Sequence, residues 1–218
     1  IVFLFFTLEF TPLTIAQNRT PIQQTNYWTM FTHGDGFCRD TATNELIDGV
    51  VYLASALGEP RIEFNLKEGI RHGMQLTWHK NGELKSEYHY QQGVEHGVRK
   101  IWHPNGIAHH VDHIKNGYPH GSLKSWYDNG QIQREFHYFE GKQDGNQRYW
   151  RKNGELKYEQ NFHRGELHGV QKFWHENGQL GAVEEYENGD FIGSSCWDDQ
   201  GNEMPCCWDD QGNEMPCD

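Results

Sequence analysis

Gly73-Met-Gln-Leu-Thr-Trp-His-Lys-Asn-Gly-Glu-Leu-Lys-Ser-Glu-Tyr-His-Tyr90 decides the fold of this chain. Two short runs rich in aromatic and apolar residues flank the turn residues Lys80-Asn81-Gly82, the pattern of a β-hairpin. Apolar residues do not recur at i, i+3, i+4 and i+7, so no helix is expected. A step of 24 residues from Gly73 lands on Gly97, Gly121, Gly145, Gly169 and Gly193. The same step links Trp78, Trp102, Trp126, Trp150 and Trp174. It links Gly69 through Gly93, Gly117, Gly141 and Gly165 to Gly189, and the Asn-Gly pairs ending at Gly82, Gly106, Gly130, Gly154 and Gly178. Residue types held in phase at such a period mark a repeat architecture.

Turn chemistry sets the facing of each hairpin. A two-residue Asn-Gly loop would be a type I′ turn, and it would set Trp78 on one face with Lys85. A three-residue loop, a type I turn followed by a left-handed Gly82, sets Trp78 opposite Leu84 instead. Trp126/Ile132, Trp150/Leu156 and Trp174/Leu180 repeat the pairing, and Pro104 suits the first central position of a type I turn. An even spacing from Trp78 then puts Tyr90 on the same face, and Ile114, Tyr138, Phe162 and Tyr186 in later copies. The opposite face receives His79, Ile101, His103, Tyr127, Tyr149, Arg151, Phe173 and His175.

A lone hairpin is marginal in water, so the copies must stack to share a core. The expected fold is all-β: an elongated single-layer antiparallel β-meander built from 24-residue β-hairpin repeats, a solenoid. Gly73, Gly97, Gly121, Gly145 and Gly169, with the five tryptophans, are its structural repeat positions. The linker glycines are read as positions of positive φ or close approach.

Residues 1–17 are apolar, open without Met, and are expected to be a truncated signal peptide with Thr14-Ile-Ala16 as its cleavage site. Residues 18–48 form a polar lead-in containing Cys38. The repeat array runs over 49–193. Its first copy, 49–68, is degenerate, with Gly49 and Gly58 in phase and Ala54 in the Trp slot. In the tail, 194–218, Trp197 arrives one residue early. An identical pair follows, Cys196-Trp-Asp-Asp-Gln-Gly-Asn-Glu-Met-Pro-Cys206 and the same eleven residues over Cys207–Cys217. Each reads as a small hairpin with cysteines facing across the strands. The disulfide candidates are therefore Cys196, Cys206, Cys207 and Cys217, leaving Cys38 over. Such bridges need an oxidising compartment, in keeping with export to periplasm, cell envelope or medium.

The net charge of −12 disfavours nucleic acid, which needs a basic footprint. It equally disfavours electrostatic attachment to anionic lipid, leaving membrane association open by other means. A mean hydropathy of −0.89 is low for a globular core. A single layer needs little apolar volume, and eight Trp and ten Tyr supply the burial.

The run Glu68-Gly-Ile-Arg-His-Gly73, the Trp78–Tyr88 segment and Gly93-Val-Glu-His-Gly97 resemble MORN-type repeats, most of all the bacterial variant grouped as YwqK-family antitoxins. The resemblance covers about residues 45–193. It implies a long twisted sheet of hairpins, a non-catalytic role in protein interaction or membrane-associated scaffolding, and toxin neutralisation as an alternative. The period of 24, the Cys-rich tail and the expected export signal depart from that pattern.

Histidine offers the first chemistry, in three ladders: His72, His96, His120 and His168; His79, His103 and His175; His89, His113 and His137. Stacked copies could bring such residues to a shared metal. Asp144, Tyr127, Arg151 and Asn161 interrupt them in phase, and no mixed ligand spacing accompanies them, so no metal site is assigned. A metal-dependent enzyme using clustered His remains the minor alternative. The chain has no nucleophile elbow, Walker loop or His-Glu-x-x-His, so no catalytic residue and no cofactor is assigned. The remaining candidate is an extended sheet face, with His79, His103, Tyr127, Arg151 and His175 as its partner-binding residues. The expected function is a non-catalytic scaffold binding a protein or a cell-envelope component.

Overall fold

The computed structural model describes residues 37–38, 44–54 and 60–206. The segment 1–17, Gly58 and the second tail copy, Cys207 to Cys217, lie outside them. The first hairpin is β1 (Gly49–Ala54) with β2 (Pro60–Lys67), the second β3 (Ile70–Trp78) with β4 (Leu84–Gln91). Then follow β5 (Val94–Glu95), β6 (Gly97–Trp102), β7 (Ala108–Lys115), β8 (Tyr118–Trp126) and β9 (Ile132–Phe139). The array continues through β10 (Lys142–Gln143), β11 (Gly145–Trp150), β12 (Leu156–His163), β13 (Glu166–Leu167) and β14 (Gly169–Trp174). It ends with β15 (Leu180–Glu187), β16 (Asp190–Trp197) and β17 (Glu203–Met204). The long strands pair antiparallel in chain order, while the two-residue strands β5, β10 and β13 pair with the strand before them and leave β6, β11 and β14 to pair with β4, β9 and β12, giving one open meander and no helix among the described residues.

The hairpin turn is the three-residue form. Gly82 N–H donates to the His79 carbonyl at 3.1 Å and His79 N–H to the Glu83 carbonyl at 2.8 Å. Gly82 has φ 87°, the left-handed bulge position. Trp78 pairs with Leu84, Trp126 with Ile132, Trp150 with Leu156 and Trp174 with Leu180, as the turn chemistry requires.

The facing of the rest of each hairpin needs correction. Thr77 pairs with Ser86, so the register slips by one residue between Thr77 and Trp78. The extra residue is Lys85, and in later copies His109, Gln133, Lys157 and Gly181. A bulge of one residue reverses the parity of everything beyond it. Tyr90, Ile114, Tyr138, Phe162 and Tyr186 therefore share a face with Ile101, Tyr149 and Phe173, and the Trp side chains project to the other. Every buried strand side chain lies on the first of these, the inner face: Val51, Phe64, Leu66, Ser86, Asp112, Ile114, Ser125, Gln147, Gln171, Ala182, Glu184 and Cys196. The outer face carries the half-buried tryptophans and a row of alternating charge. Lys100 meets Glu87 at 3.5 Å, Lys124 meets Glu135 at 2.8 Å and Arg148 meets Glu159 at 2.7 Å.

Between hairpins the chain turns on two residues, both left-handed: Gln92-Gly93 (φ 51° and 80°), Asn116-Gly117 (53° and 82°), and their equivalents. This is a type I′ turn with a non-glycine first residue. Close approach fixes Gly93 as well, since a Cβ there would lie 2.9 Å from Ile70 Cγ2. Gly121, at φ 86°, has open space around it, so only its backbone conformation demands glycine. Gly121→Val is expected to cost about 1–3 kcal/mol through that conformation. Lys124→Ala, which removes a half-exposed ion pair, costs less than about 1 kcal/mol. Thermal denaturation of the two variants checks the order.

The array ends deliberately. Cys196 and Cys206 are joined, with Cα atoms 5.2 Å apart. Across β15 and β16 the register slips by one residue, between Glu185 and Tyr186, where earlier linkers slip by two. That missing residue is why Trp197 comes early. The final strand among the described residues, β17, is two residues long and is followed by Pro205.

Candidate interaction face

The histidine ladders are hydrogen-bond ladders, and the residues that interrupt them keep the same hydrogen-bonding sense. At the position after Trp the side chain reaches the Trp carbonyl of the next copy. His79 Nε2 lies 2.9 Å from the Trp102 carbonyl, His103 Nε2 3.0 Å from Trp126 O and His175 Nε2 2.7 Å from Trp197 O. The Tyr127 hydroxyl donates to Trp150 O at 2.8 Å and Arg151 Nη2 to Trp174 O at 2.5 Å. Imidazole, phenol and guanidinium are interchangeable there because each can donate. Asp198 closes the series: it accepts the Gln200 and Asn202 amides and has no proton to pass on. The five residues expected on a partner-binding face thus have their polar groups turned to the neighbouring copy, half-buried.

The second ladder accepts. His96, His120 and His168 take the N–H of Asn116, Glu140 and Asn188 on Nδ1, each at 3.4 Å, and Asp144 takes Arg164 N–H at 2.9 Å. The amides satisfied are those of left-handed residues in the linker turns. The third ladder donates: His89, His113 and His137 through Nδ1, and Asn65 and Asn161 through their amides, all to carbonyls of the following strand. Among the described residues, no three His, Cys, Asp or Glu side chains gather as a metal site.

Two kinds of buried polar group were missed by sequence reasoning. Gln171 accepts Asn161 N–H on Oε1 at 2.8 Å and donates through Nε2 to the Asn161 and Gly169 carbonyls at 3.1 and 3.0 Å. Gln147 does the same for His137 and Gly145. Both plug the slip between hairpins, where the backbone ladder is interrupted. Their one signal in the sequence is the recurrence of Gln75, Gln147 and Gln171 in phase. Arg99 fills that slot one copy later and instead grips Asp112, Nε to Oδ1 at 2.9 Å and Nη2 to Oδ2 at 2.5 Å. His110 Nε2 adds a contact to Asp112 Oδ2 at 3.1 Å. Burial pushes the Asp112 carboxyl up, but hydrogen bonds from His110 and Arg99 outweigh it and hold the group below the usual carboxylate range.

Glu184 is the opposite case. Burial raises its carboxyl above the usual range, against a 3.1 Å hydrogen bond from the Tyr186 hydroxyl. A raised folded value means that the ionised form opposes folding at neutral pH. Glu184→Gln is expected to raise the melting temperature at pH 7 by a few degrees. Its advantage fades as the solution is acidified and the wild-type carboxyl takes up its proton. Melting curves across that pH range give the test.

One sector of the inner face is different. No strand residue from β8 to β14 brings an acidic side chain to it: Glu135, Glu159 and Glu166 face outward, and Glu155, in the turn before Lys157, is held by the Asn153 amide at 2.7 Å. The nearest inner carboxylates are Asp112, which is paired, and Glu184. Register sets Arg134, Tyr149, Tyr158 and Phe173 side by side on successive strands. Tyr149 and Tyr158 stack at 5.3 Å with 13° between planes, and Phe173 follows at 6.5 Å. The Arg134 guanidinium sits 5.6 Å from the Tyr149 ring centre and Lys157 Nζ 5.8 Å from it. Lys157 reaches this face because it is the bulge residue. Both cations are exposed, and neither has an ion-pair partner among the described residues. The adjacent Tyr127 hydroxyl pulls the Tyr149 hydroxyl below the usual phenol range against burial, with help from Gln133 and the two cations.

Comparison with known proteins follows the same divisions. A family model described as MORN repeat variant matches residues 71–92, 119–140, 143–164 and 167–188. The unit between the first two matches keeps the register and contains the Arg99–Asp112 pair. No curated protein matches the chain.

Proposed function

Because the chain is a MORN-type repeat protein, we propose that it is a non-catalytic scaffold which holds a protein or a cell-envelope component against an extended sheet face. The observation that carries this is the inner-face row Arg134–Tyr149–Tyr158–Phe173. Tyr, Arg and other large planar side chains are the residues that anchor protein interfaces. The histidine ladders turn their polar groups to neighbouring copies, whereas the two cations of this row have no ion-pair partner among the described residues. A photo-crosslinking residue placed at Phe173, on the inner face, is expected to give a discrete adduct in the native host. The same residue at Ser122, on the outer face, gives none. Absence of an adduct from both positions would overturn the reading.

Export is the setting the Cys196–Cys206 bridge supports, since such bridges persist in oxidising compartments. Toxin neutralisation, suggested by the YwqK resemblance, would place the chain in the reducing cytoplasm. Thiol alkylation during cell fractionation separates the two: a protected Cys196–Cys206 pair outside the cytoplasm supports export, and reduced cysteines in the cytoplasm support the alternative.

A further inference from the structure

We propose that the sector around Arg134 and Lys157, whose strands bring no acidic side chain to the inner face, is a docking site for a short acidic peptide segment of a partner protein. The proposal rests on the docking reading above and deepens it by naming the partner's chemistry. Charge distribution carries it. In a chain of net charge −12, acidic residues are the commonest ionic partners for a surface cation. Yet Arg134 and Lys157 stand on the inner face with aromatic rings beside them, while Glu135 and Glu159 of the same strands face outward in ion pairs with Lys124 and Arg148. A guanidinium held against a ring keeps its outer N–H groups directed away from it, and those are suited to a carboxylate fork.

The surroundings favour a peptide over a long polyanion. Tyr149, Tyr158 and Phe173 lie on adjacent strands, so their row is on the order of 10 Å long at the usual strand spacing. That length suits a few residues with an apolar side chain among acids. A nucleic acid or an acidic polysaccharide would extend past the sector and meet the negative potential of the whole molecule.

The test uses short fluorescein-labelled peptides sharing a Leu-Phe pair and flanked by all Glu, all Gln or all Lys, with heparin as a polyanion. Binding to the full chain is read by fluorescence anisotropy. The Glu peptide is expected to bind about tenfold more tightly than the Gln peptide, a preference that disappears in R134Q/K157Q. Both replaced side chains are exposed, and the melting temperature of the double variant is expected to match that of the wild type. Equal binding of Glu and Gln peptides, a Glu preference that survives in the double variant, or displacement of the Glu peptide by heparin overturns the acidic-peptide proposal. If Glu and Gln peptides bind equally and Tyr158→Ser with Phe173→Ser weakens both, the charge proposal fails and the docking face stands. If no peptide binds and the Phe173 crosslink gives no adduct, both fail.

Discussion

Gln171→Leu is expected to cost about 3 kcal/mol, because it removes the acceptor of the buried Asn161 N–H and a donor to two backbone carbonyls. The melting temperature falls by roughly 6–12 °C for a chain of this length. Gln171 is completely buried (0 % exposed), so water cannot replace its contacts. Leucine fills a similar volume but leaves the Asn161 N–H without the acceptor it now has at 2.8 Å, and takes one donor each from the Asn161 and Gly169 carbonyls, of which Asn161 keeps the His168 N–H at 2.9 Å. Gln160→Leu is the control: Gln160 projects to the same face from β12 and is only half-buried. Thermal melts of the two variants should differ by most of the predicted amount. Equal melting temperatures would show that the slip between hairpins does not depend on its plug.

Arg99→Leu should be the most damaging single replacement, at about 3–5 kcal/mol, since it leaves a buried charge without its main partner. Asp112 is 1 % exposed, and the guanidinium makes two of its contacts. The pH dependence identifies the cause. In the wild type Asp112 is held below the usual carboxylate range, so its contribution is full above that range and is lost as pH falls through the lowered value. In the variant burial is opposed by His110 alone, the carboxyl rises, and protonation relieves the penalty sooner. The deficit measured by urea denaturation should therefore be large at neutral pH and shrink on acidification. Replacing both residues by Leu should recover part of the loss, because the fully buried Asp112 charge goes with its partner and only the partly buried Glu95 loses a cation at 3.5 Å. A deficit unchanged across the pH range, or a double variant no better than Arg99→Leu, would rule out this account.

The legible and illegible parts of this fold divide along physical lines. Glycine and tryptophan phase gave the hairpin unit, and the Trp78–Leu84 facing followed from turn chemistry alone. The single bulge at Lys85 and its equivalents was not legible: nothing in Leu-Lys-Ser distinguishes a residue inserted into a ladder from one that pairs. That one residue moved Tyr90, Ile114 and Tyr138 to the other side of the layer and brought Lys157 onto the aromatic row. The aromatic row with its two cations was therefore hidden, while His79, His103, Tyr127, Arg151 and His175, read as residues of a binding face, make hydrogen bonds to the following copy. Their common property is the ability to donate a proton, which a reading by residue identity treats as variation. The linker turns were half legible. Glycine marked their second position, and Asn116 and Asn188 suit a left-handed first position, but Gln92, Glu140 or Arg164 gives no hint of one.

The contact from each post-tryptophan side chain to the following indole residue's carbonyl has a direction: every internal unit gives at one boundary and receives at the other. Units joined this way behave like monomers in a head-to-tail polymer. Inserting or deleting a whole 24-residue segment restores the same donor–acceptor junction on both sides, so the ribbon can lengthen or shorten without inventing new chemistry. Asp198, having nothing to give, breaks that head-to-tail series after Trp197.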